Sequence, residues 1–539
     1  MPDQPEWKWD GAGGPDPERA AAGRPARPAD ATAVAARRAL DPSHDFRRTL
    51  AYTVAGTLLP GLGLIAARRR VIGGVILGLF VTALLTIGIW TLVDPDTVAA
   101  LAVRPTALRA IGVALVVVAL AWVTVVVASH LALRGRANRS QRVGGAVLVG
   151  LLAFAVAAPM GFAANLTYVQ AGAINKVFKS EKNTKSATRP TFRLPQPTTG
   201  GGPAQDPWAN TPRLNVLLLG GDAGKGREGT RTDTVILASI DTKTGDTTLF
   251  SLPRNTARMP FPNGSPLLKY YPDGFTDGNG QNAEFFLNAM YRHVPENVPK
   301  DVLGETDDLG ADALKLSVGT ALGLKVDYYV LINLQGFTRL IDALGGITVN
   351  INSYIPIGGN TDLGIKPKEY LSPGKDQRLN GRSALWYARG RYGSTDYARM
   401  DRQRCVINAI IEQANPANML ARYEKIAQAG TDIVFTDMPR EVLPLMVDLS
   451  MRVKDGNVRS IVFKTGSDGF VSARPNFDQM RKRVKVALGE AKSEAPKRPS
   501  SSSSASTAKP TRPAKTESED VADSCAYDPK AAESAQKPS

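Results

Sequence analysis

Cysteine and histidine are scarce. The 539 residues contain two cysteines, Cys405 and Cys525, and three histidines. Neither cysteine stands in a metal-ligand spacing, which argues against a zinc site. The pair leaves two readings open: one disulfide in an oxidising compartment, or two free thiols, one buried and one on a tail. Aromatic residues make up only 7% of the chain, and no compact basic patch is interleaved with them. The net charge of +16 therefore does not point to nucleic acid. Many arginines instead flank apolar segments, where they act as topology determinants. No short apolar run with a small-residue cleavage site follows the start, so a signal peptide is not expected. The stretch Gly221-Asp-Ala-Gly-Lys-Gly-Arg superficially suggests a phosphate loop, but Lys225 is followed by Gly226 and the required spacing is missing. There is no internal repeat.

What the chain does have is an apolar region between two polar ends. Residues 1–47 are rich in Pro, Ala, Gly, Asp and Arg without periodicity and read as disordered. A transmembrane region follows over 48–180, with apolar stretches at Leu50–Ala67, Val71–Val93, Ala110–Leu133 and Gly144–Ile174. The last three are long enough to cross about 30 Å of hydrocarbon. Arg134, Arg136, Arg139 and Arg142 place the loop between the third and fourth stretches in the cytoplasm, which puts the chain after Ile174 outside. The first stretch is broken by Pro60, Gly61 and Gly63, with Arg47 and Arg48 before it and Arg68–Arg70 after it. It either crosses, or dips in and returns. Positive charge on both flanks favours the dip. A Thr/Pro/Gly-rich linker is expected over 181–212, a globular domain over 213–490 and a disordered Ser/Lys/Pro/Ala tail over 491–539.

The globular part mixes β-type runs with amphipathic helical runs, so an α/β fold with a mixed β-sheet flanked by helices is expected. Asn215–Leu219 reads as a buried strand that delivers Asp222 to its end. Thr234–Ile240 and Asp246–Leu252, joined by turn residues, read as a hairpin. Pairing Ile240 with Asp246 puts Asp233 opposite Pro253 and Arg254 at the same rim. Asp222 and Asp233 then offer two carboxylates beside a guanidinium, a donor set that suits Mg²⁺ with phosphate completing its shell. The alternative is strand-end residues in surface salt bridges.

A second constellation lies at Arg389-Gly-Arg391, with Asp396, Arg399, Arg402 and Gln403 behind it. Ala384–Ala388 reads as a strand end, and Ser394, Thr395 and Asp396 as N-cap residues of a helix from about Tyr397 to Ala414. Arginines gathered at a helix N-terminus make an anion site, since guanidinium pairs bidentately with phosphate. A solvated basic helix start paired with Asp396 and Asp401 is the bland alternative. Asp396 reads as orienting an arginine rather than titrating as a base. Between the two constellations a helix over Leu314–Leu324, a strand over Val326–Ile332, a helix over Gln335–Leu344 and a strand over Ile347–Ile351 are expected. Phe337, Leu340 and Ile341 form an apolar stripe that is either core or the lining of a groove for an isoprenoid chain. Asp327 and Asp342 are read as structural, and Lys269, Asn288 and Tyr291 as weaker candidates for substrate contact.

These stretches resemble the LytR-CpsA-Psr family of cell-wall glycopolymer transferases. The matching segments are NVLLLGGD (Asn215–Asp222), RTDTVIL (Arg231–Leu237), SLPRNT (Ser251–Thr256), VDYYVLINLQGFTRLIDALGGITV and LNGRSALWYARGRYGSTDYARMDRQ, ending at Gln403. The resemblance implies a domain outside the membrane that moves a glycopolymer from a polyprenyl-pyrophosphate carrier to a peptidoglycan hydroxyl. A phosphodiester forms and polyprenyl phosphate leaves. It implies Mg²⁺ on Asp222 and Asp233, and pyrophosphate binding by Arg231, Arg254, Arg389, Arg391 and Arg399, with Asp396 and Gln403 supporting. Asp233 and Asp396 are the candidates for the base, and a metal-bound Asp233 would be a poor one. Two departures stand out. The family's Pro-Arg-Asp is Pro253-Arg254-Asn255 here, and its Lys-Leu-Asn is Phe286-Leu287-Asn288, with Lys269 a candidate replacement for the lysine. A polyprenyl-pyrophosphate phosphatase and a non-enzymatic envelope regulator are the rival readings.

Overall fold

The computed structural model describes residues 42–134, 138–190, 208–222, 230–279, 282–360, 363–413, 434–467, 469–491 and 518–537. The chain divides into two compact units. The first comprises Met1–Leu85 and Val118–Pro159, and the second Thr86–Val117 and Met160–Ser539. Most of the expected N-terminal segment, part of the linker and the glycine-rich stretch 223–229 lie outside the described residues.

The N-terminal apolar region contains α1 (Pro42–Leu58), α2 (Leu62–Ala66), α3 (Arg70–Val93), α4 (Pro95–Leu101), α5 (Pro105–Leu133) and α6 (Arg139–Val177). Helices α3, α5 and α6 are long and apolar enough to cross a membrane. The first apolar stretch is a helical hairpin rather than a span. Its corner passes through Gly61 at φ 99, a left-handed conformation that suits glycine. The two arms pack closely, for a Cβ on Gly56 would lie 2.9 Å from the Gly63 nitrogen. The chain therefore reverses at this corner, which brings the arginines on its two flanks to the same end of the hairpin. Trp122 Nε1 donates to Thr57 O at 3.0 Å and satisfies a carbonyl that the end of α1 leaves open.

In the second unit a seven-stranded mixed sheet runs in the order β11-β10-β3-β2-β1-β4-β9. Its strands are β1 (Arg213–Gly221), β2 (Thr232–Asp241), β3 (Thr247–Leu252), β4 (Tyr328–Asn333), β9 (Val434–Thr436), β10 (Val458–Val462) and β11 (Glu519–Asp520). Two small ribbons accompany it: β5 (Ile347–Ile351) with β8 (Gly374–Leu379), and β6 (Ile355–Ile357) with β7 (Glu369–Leu371). The helices are α7 (Leu287–Asn297), α8 (Leu309–Leu322), α9 (Leu334–Ala343), α10 (Gly381–Arg389), α11 (Asp396–Gln413), α12 (Leu443–Asp455), α13 (Phe477–Ala487), α14 (Val521–Ser524) and α15 (Pro529–Ser534). Strand alternation separates two faces. Leu217, Leu219, Val235 and Leu237 join the main core with α8 residues such as Leu314 and Val318. Leu218 and Ile236 point the other way and line a cavity.

Four expectations need correction. Ile240 pairs with Thr247, not Asp246, a slip of one residue that brings Arg254 opposite Asp233. Ala384–Ala388 lies in helix α10 rather than at a strand end; Asn380 caps that helix by accepting from Ser383 N at 2.9 Å. The segment expected to open the linker is knitted into the domain over residues 181–190. There the buried Asp312 accepts from Ser186 Oγ at 2.7 Å, Ala187 N at 2.9 Å and Thr306 Oγ1 at 2.6 Å. Finally, the tail expected to be disordered carries β11, α14 and α15 over its described part, 518–537.

Cys405 of α11 and Cys525 are joined in a disulfide across 120 residues, with Cα atoms 5.6 Å apart. Asn350 Nδ2 donates to Cys525 O at 3.1 Å and Asn352 Nδ2 to Ala526 O at 3.0 Å, while β11 covers the edge of β10. Closing so long a loop restricts the unfolded chain, an effect worth about 5 kcal/mol in the chain-entropy picture. Reducing the purified full chain, or replacing Cys405 by Ser, is expected to lower the unfolding midpoint by several degrees in differential scanning calorimetry. An unchanged midpoint would show the tether to be inert.

Candidate active site

Gly220 and Gly221 end β1 and hand the chain to Asp222, whose Oδ1 accepts from Arg231 N at 2.9 Å while its own N–H donates to Arg231 O at 3.1 Å. Asp233 stands at the start of β2. Arg254, just past β3, reaches it with Nη1 at 2.8 Å from Oδ1, and Asn288 Nδ2 donates to the same oxygen at 3.2 Å. Burial alone would raise the Asp233 carboxyl. The charge and hydrogen bond of Arg254, the Asn288 amide and the Arg399 charge outweigh it and hold the group below the usual carboxylate range. Asp233 is therefore an anion at neutral pH.

The second constellation meets the first through Asp396. Thr395 Oγ1 caps α11 by accepting from Ala398 N at 3.2 Å, and Asp396 occupies the first turn. Its Oδ1 lies 3.1 Å from Arg399 Nη2, 3.6 Å from Arg254 Nε and 3.6 Å from Arg391 Nη1. Three guanidiniums from three segments converge on one carboxylate, which orients them. Arg399 also donates to Asp233 O at 3.2 Å. Burial pulls its guanidinium down to about 10, with Arg254 and Arg391 adding repulsion against the pull of Asp396 and Asp233. It remains a cation at neutral pH, and its Nε is a buried donor with no hydrogen-bond partner among the described residues. Such an orphan signals a place for an anion.

Arg389 and Arg391 are set by the residue between them. A Cβ on Gly390 would come within 2.6 Å of Pro356 O and 2.9 Å of Trp386 O, so the loop can pass β6 only as glycine. Arg402 clamps the same loop from α11, donating through Nε to Tyr387 O at 2.7 Å and through Nη2 to Gly390 O. Arg389 lies over the Trp386 ring at 5.0 Å. Gly390→Ala is expected to lower turnover about 100-fold, because a shift near 1 Å in charged groups costs that much. A steady-state assay at saturating donor would check this, wild-type turnover being the contrary result.

Asp222, Asp233, Arg389, Arg391, Arg399 and Gln403 line one end of a cavity of about 370 Å³. Its other walls are apolar: Leu218 and Ile236 from the sheet, Ile332 from β4, Phe337 and Leu340 from α9, Leu385 from α10, and Ile407 and Ile411 from α11. Of the stripe on α9, Phe337 and Leu340 face the cavity while Ile341 is in a core. The remaining sequence candidates fall elsewhere. Arg231 does not line the cavity; its guanidinium pairs with Glu284 and donates to Ala283 O at 3.3 Å. Lys269 is exposed and Tyr291 donates to Asp308 at 2.6 Å. Asp327 accepts from Asn215 N, and Asp342 from Gly381 N at 2.7 Å, both structural as read. The walls on α11 were missed, although Val406, Ile407, Ile410 and Ile411 follow Gln403 at helical spacing and could have been found from it.

Asp222 and Asp233 are the two carboxylates that line the cavity, and carboxylate oxygens are what a hard cation takes as ligands. Asn288 Oδ1 is a buried acceptor with no hydrogen-bond partner among the described residues, and it belongs to the amide that touches Asp233. This chemistry fits Mg²⁺. Among the described residues no three His, Cys, Asp or Glu side chains cluster around a metal position, so Asp222 and Asp233 would hold the ion with substrate oxygens and water completing its shell.

The LytR_cpsA_psr family model matches residues 167–482. Biofilm regulatory protein A of Streptococcus mutans is 28% identical over 313 residues, 55% of this chain and 69% of that protein. The polyisoprenyl-teichoic acid–peptidoglycan teichoic acid transferase TagU of Enterococcus faecalis is 28% identical over 299 residues, 54% of this chain and 78% of the relative. Among solved structures, protein gbs0355 of Streptococcus agalactiae is similar at 27% identity and a TM-score of 0.39, over 53% of this chain and 91% of the other. With the family model covering more than half of its length, the chain belongs to the LytR_cpsA_psr family.

Proposed function

We propose that this protein is a membrane-anchored phosphotransferase that moves a glycopolymer from a polyprenyl-pyrophosphate carrier to a hydroxyl of peptidoglycan, outside the cytoplasm and with Mg²⁺. The observation that carries this reading is a single cavity with ionic groups at one end and aliphatic walls at the other. An amphiphile with a diphosphate head and a hydrocarbon tail has that distribution of chemistry. Relatives named as polyisoprenyl-teichoic acid transferases support it, and so do three helices long enough to hold the chain in a bilayer.

The roles follow from position. Arg389, Arg391 and Arg399, which line the ionic end, bind the diphosphate and oppose the charge that builds on the departing polyprenyl phosphate, and Arg254 supports them from its ion pairs with Asp233 and Asp396. Asp396 keeps three of them aimed at one point. The acceptor hydroxyl attacks the phosphorus on the glycopolymer side and gives up its proton to solvent, the P–O–P bridge breaks with its electron pair leaving on polyprenyl phosphate, and the new P–O bond completes the phosphodiester. Bound at Asp222 and Asp233, Mg²⁺ would neutralise the diphosphate and make it more electrophilic. The apolar walls hold the chain of the leaving lipid, so the reacting phosphorus is positioned by groups remote from it.

The test is to incubate the purified full chain with a synthetic polyprenyl-pyrophosphate-linked saccharide and peptidoglycan fragments, with Mg²⁺ or EDTA. A phosphodiester conjugate and polyprenyl phosphate, both abolished by EDTA, are expected. Saccharide phosphate without conjugate would make the protein a phosphatase, and donor binding without turnover would make it a regulator.

A further inference from the structure

The membrane unit lies outside residues 167–482, and its inference stands apart from the transferase reading. In this unit three helical arms are in register. A Cβ on Gly63 of α2 would lie 2.8 Å from Ser129 Cβ of α5 and 3.4 Å from Tyr52 O of α1. Five residues from each, toward the open end of the hairpin, stand Arg68, Arg134 and Arg47. Arg47 lies on α1, Arg134 directly follows α5 and Arg68 lies two residues past α2, so all three arms reach arginine at the same end of the bundle. Thr49 Oγ1 donates to Leu133 O at 3.1 Å, which fixes the same register independently. Helix α6 joins them: a Cβ on Gly145 would lie 2.8 Å from His130 Nε2, and three residues toward the same end stand Arg142 and Leu133.

Arg47, Arg68, Arg134 and Arg142 thus ring the bundle, with Arg48, Arg69 and Arg70 within a turn, and all are exposed. From Pro42 to Leu85 and from Val118 to Pro159 the sequence has nine arginines against one acidic residue, Asp45. The ring sits where apolar helices end, the depth of lipid phosphates. We propose that it is a binding site for the phosphate headgroup of an anionic membrane lipid, in the leaflet on the arginine side. Guanidinium pairs bidentately with phosphate, and each arginine near an anionic surface adds to retention.

Native mass spectrometry of the detergent-purified full chain, titrated with phosphatidylglycerol or phosphatidylcholine of the same acyl chains, tests this. Wild type should prefer phosphatidylglycerol about tenfold or more. R47Q/R68Q/R134Q should lose that preference, while R109Q, at the opposite end of α5, should keep it. R47K/R68K/R134K preserves the charge that directs insertion and should retain part of the preference, which separates lost binding from faulty insertion. Equal retention of the two lipids by wild type overturns the proposal. So does displacement of phosphatidylglycerol by millimolar glycerol phosphate, which would reassign the ring to a soluble phosphate.

Discussion

Replacing Arg389 and Arg391 together by alanine is expected to lower kcat/KM for the lipid-linked donor about 1,000-fold or more. The two side chains line the ionic end of the cavity beside Asp222, Asp233 and Arg399. Removing a preorganised charge that opposes transition-state phosphate charge costs 10²–10³ per group in comparable sites. Stability should change little. Arg391 is 40% exposed and its ion pair with Asp396 is 3.6 Å long, a geometry worth little in water. Arg339→Ala, an exposed arginine on α9 outside the cavity, should leave both turnover and the unfolding midpoint unchanged. Near-normal kcat/KM in the double variant, with the domain folded, would remove the diphosphate from this end of the cavity.

Placing a carboxylate in the aliphatic wall should have an effect of similar size on a different parameter. Ile407→Glu puts a charge among Leu218, Ile236 and Ile411. Desolvating an unpaired charge against hydrocarbon is costly, so KM for a long-chain polyprenyl donor is expected to rise about 100-fold. A donor with one or two isoprene units does not reach that depth and should be turned over as by wild type. Leu340→Glu, on the opposite wall, repeats the test from another helix should Ile407→Glu unfold. If the long and short donors suffer equally, the wall does not hold the chain.

These two experiments probe the two ends of one cavity, and the ends were legible in the sequence to different degrees. Asp222, Asp233, Arg254, Arg389, Arg391 and Arg399 could be nominated because charged residues at strand and helix ends have few structural uses. The wall was only half visible. Phe337 and Leu340 look like core until their neighbour Ile341 is seen to turn into the core instead. Asn288 was a faint candidate, and nothing local reveals that its amide would share Asp233 Oδ1 with Arg254. The brace from Arg402 to Gly390 joins residues twelve apart through a bend, which no periodicity encodes.

The misreadings share one cause. Ala384–Ala388 is an unbroken apolar and aromatic run, and such a run is ambiguous between strand and helix. It became α10 because Asn380 caps it and because Ala384 and Tyr387, three apart, bury on one side while Leu385 and Ala388 face the cavity. The one-residue slip in the hairpin arose from its turn, where Asp241 N bonds Asp246 O and shifts every later pair. The polar tail offers no core of its own. Its described part, 518–537, is held by the disulfide and by pairing with β10, contacts to residues far away in sequence.

The sequence by itself determined the apolar region, its break at Pro60 and Gly61, the mixed α/β domain and most of the charged residues of the site, since each follows from hydropathy, turn chemistry or spacing along the chain. Only the tertiary structure decided that Arg254, Arg391 and Arg399 share Asp396, that Arg231 turns to Glu284, and that Cys405 bonds Cys525. Those outcomes depend on distances between segments tens to hundreds of residues apart, and through-space electrostatics and packing, not local propensity, set them.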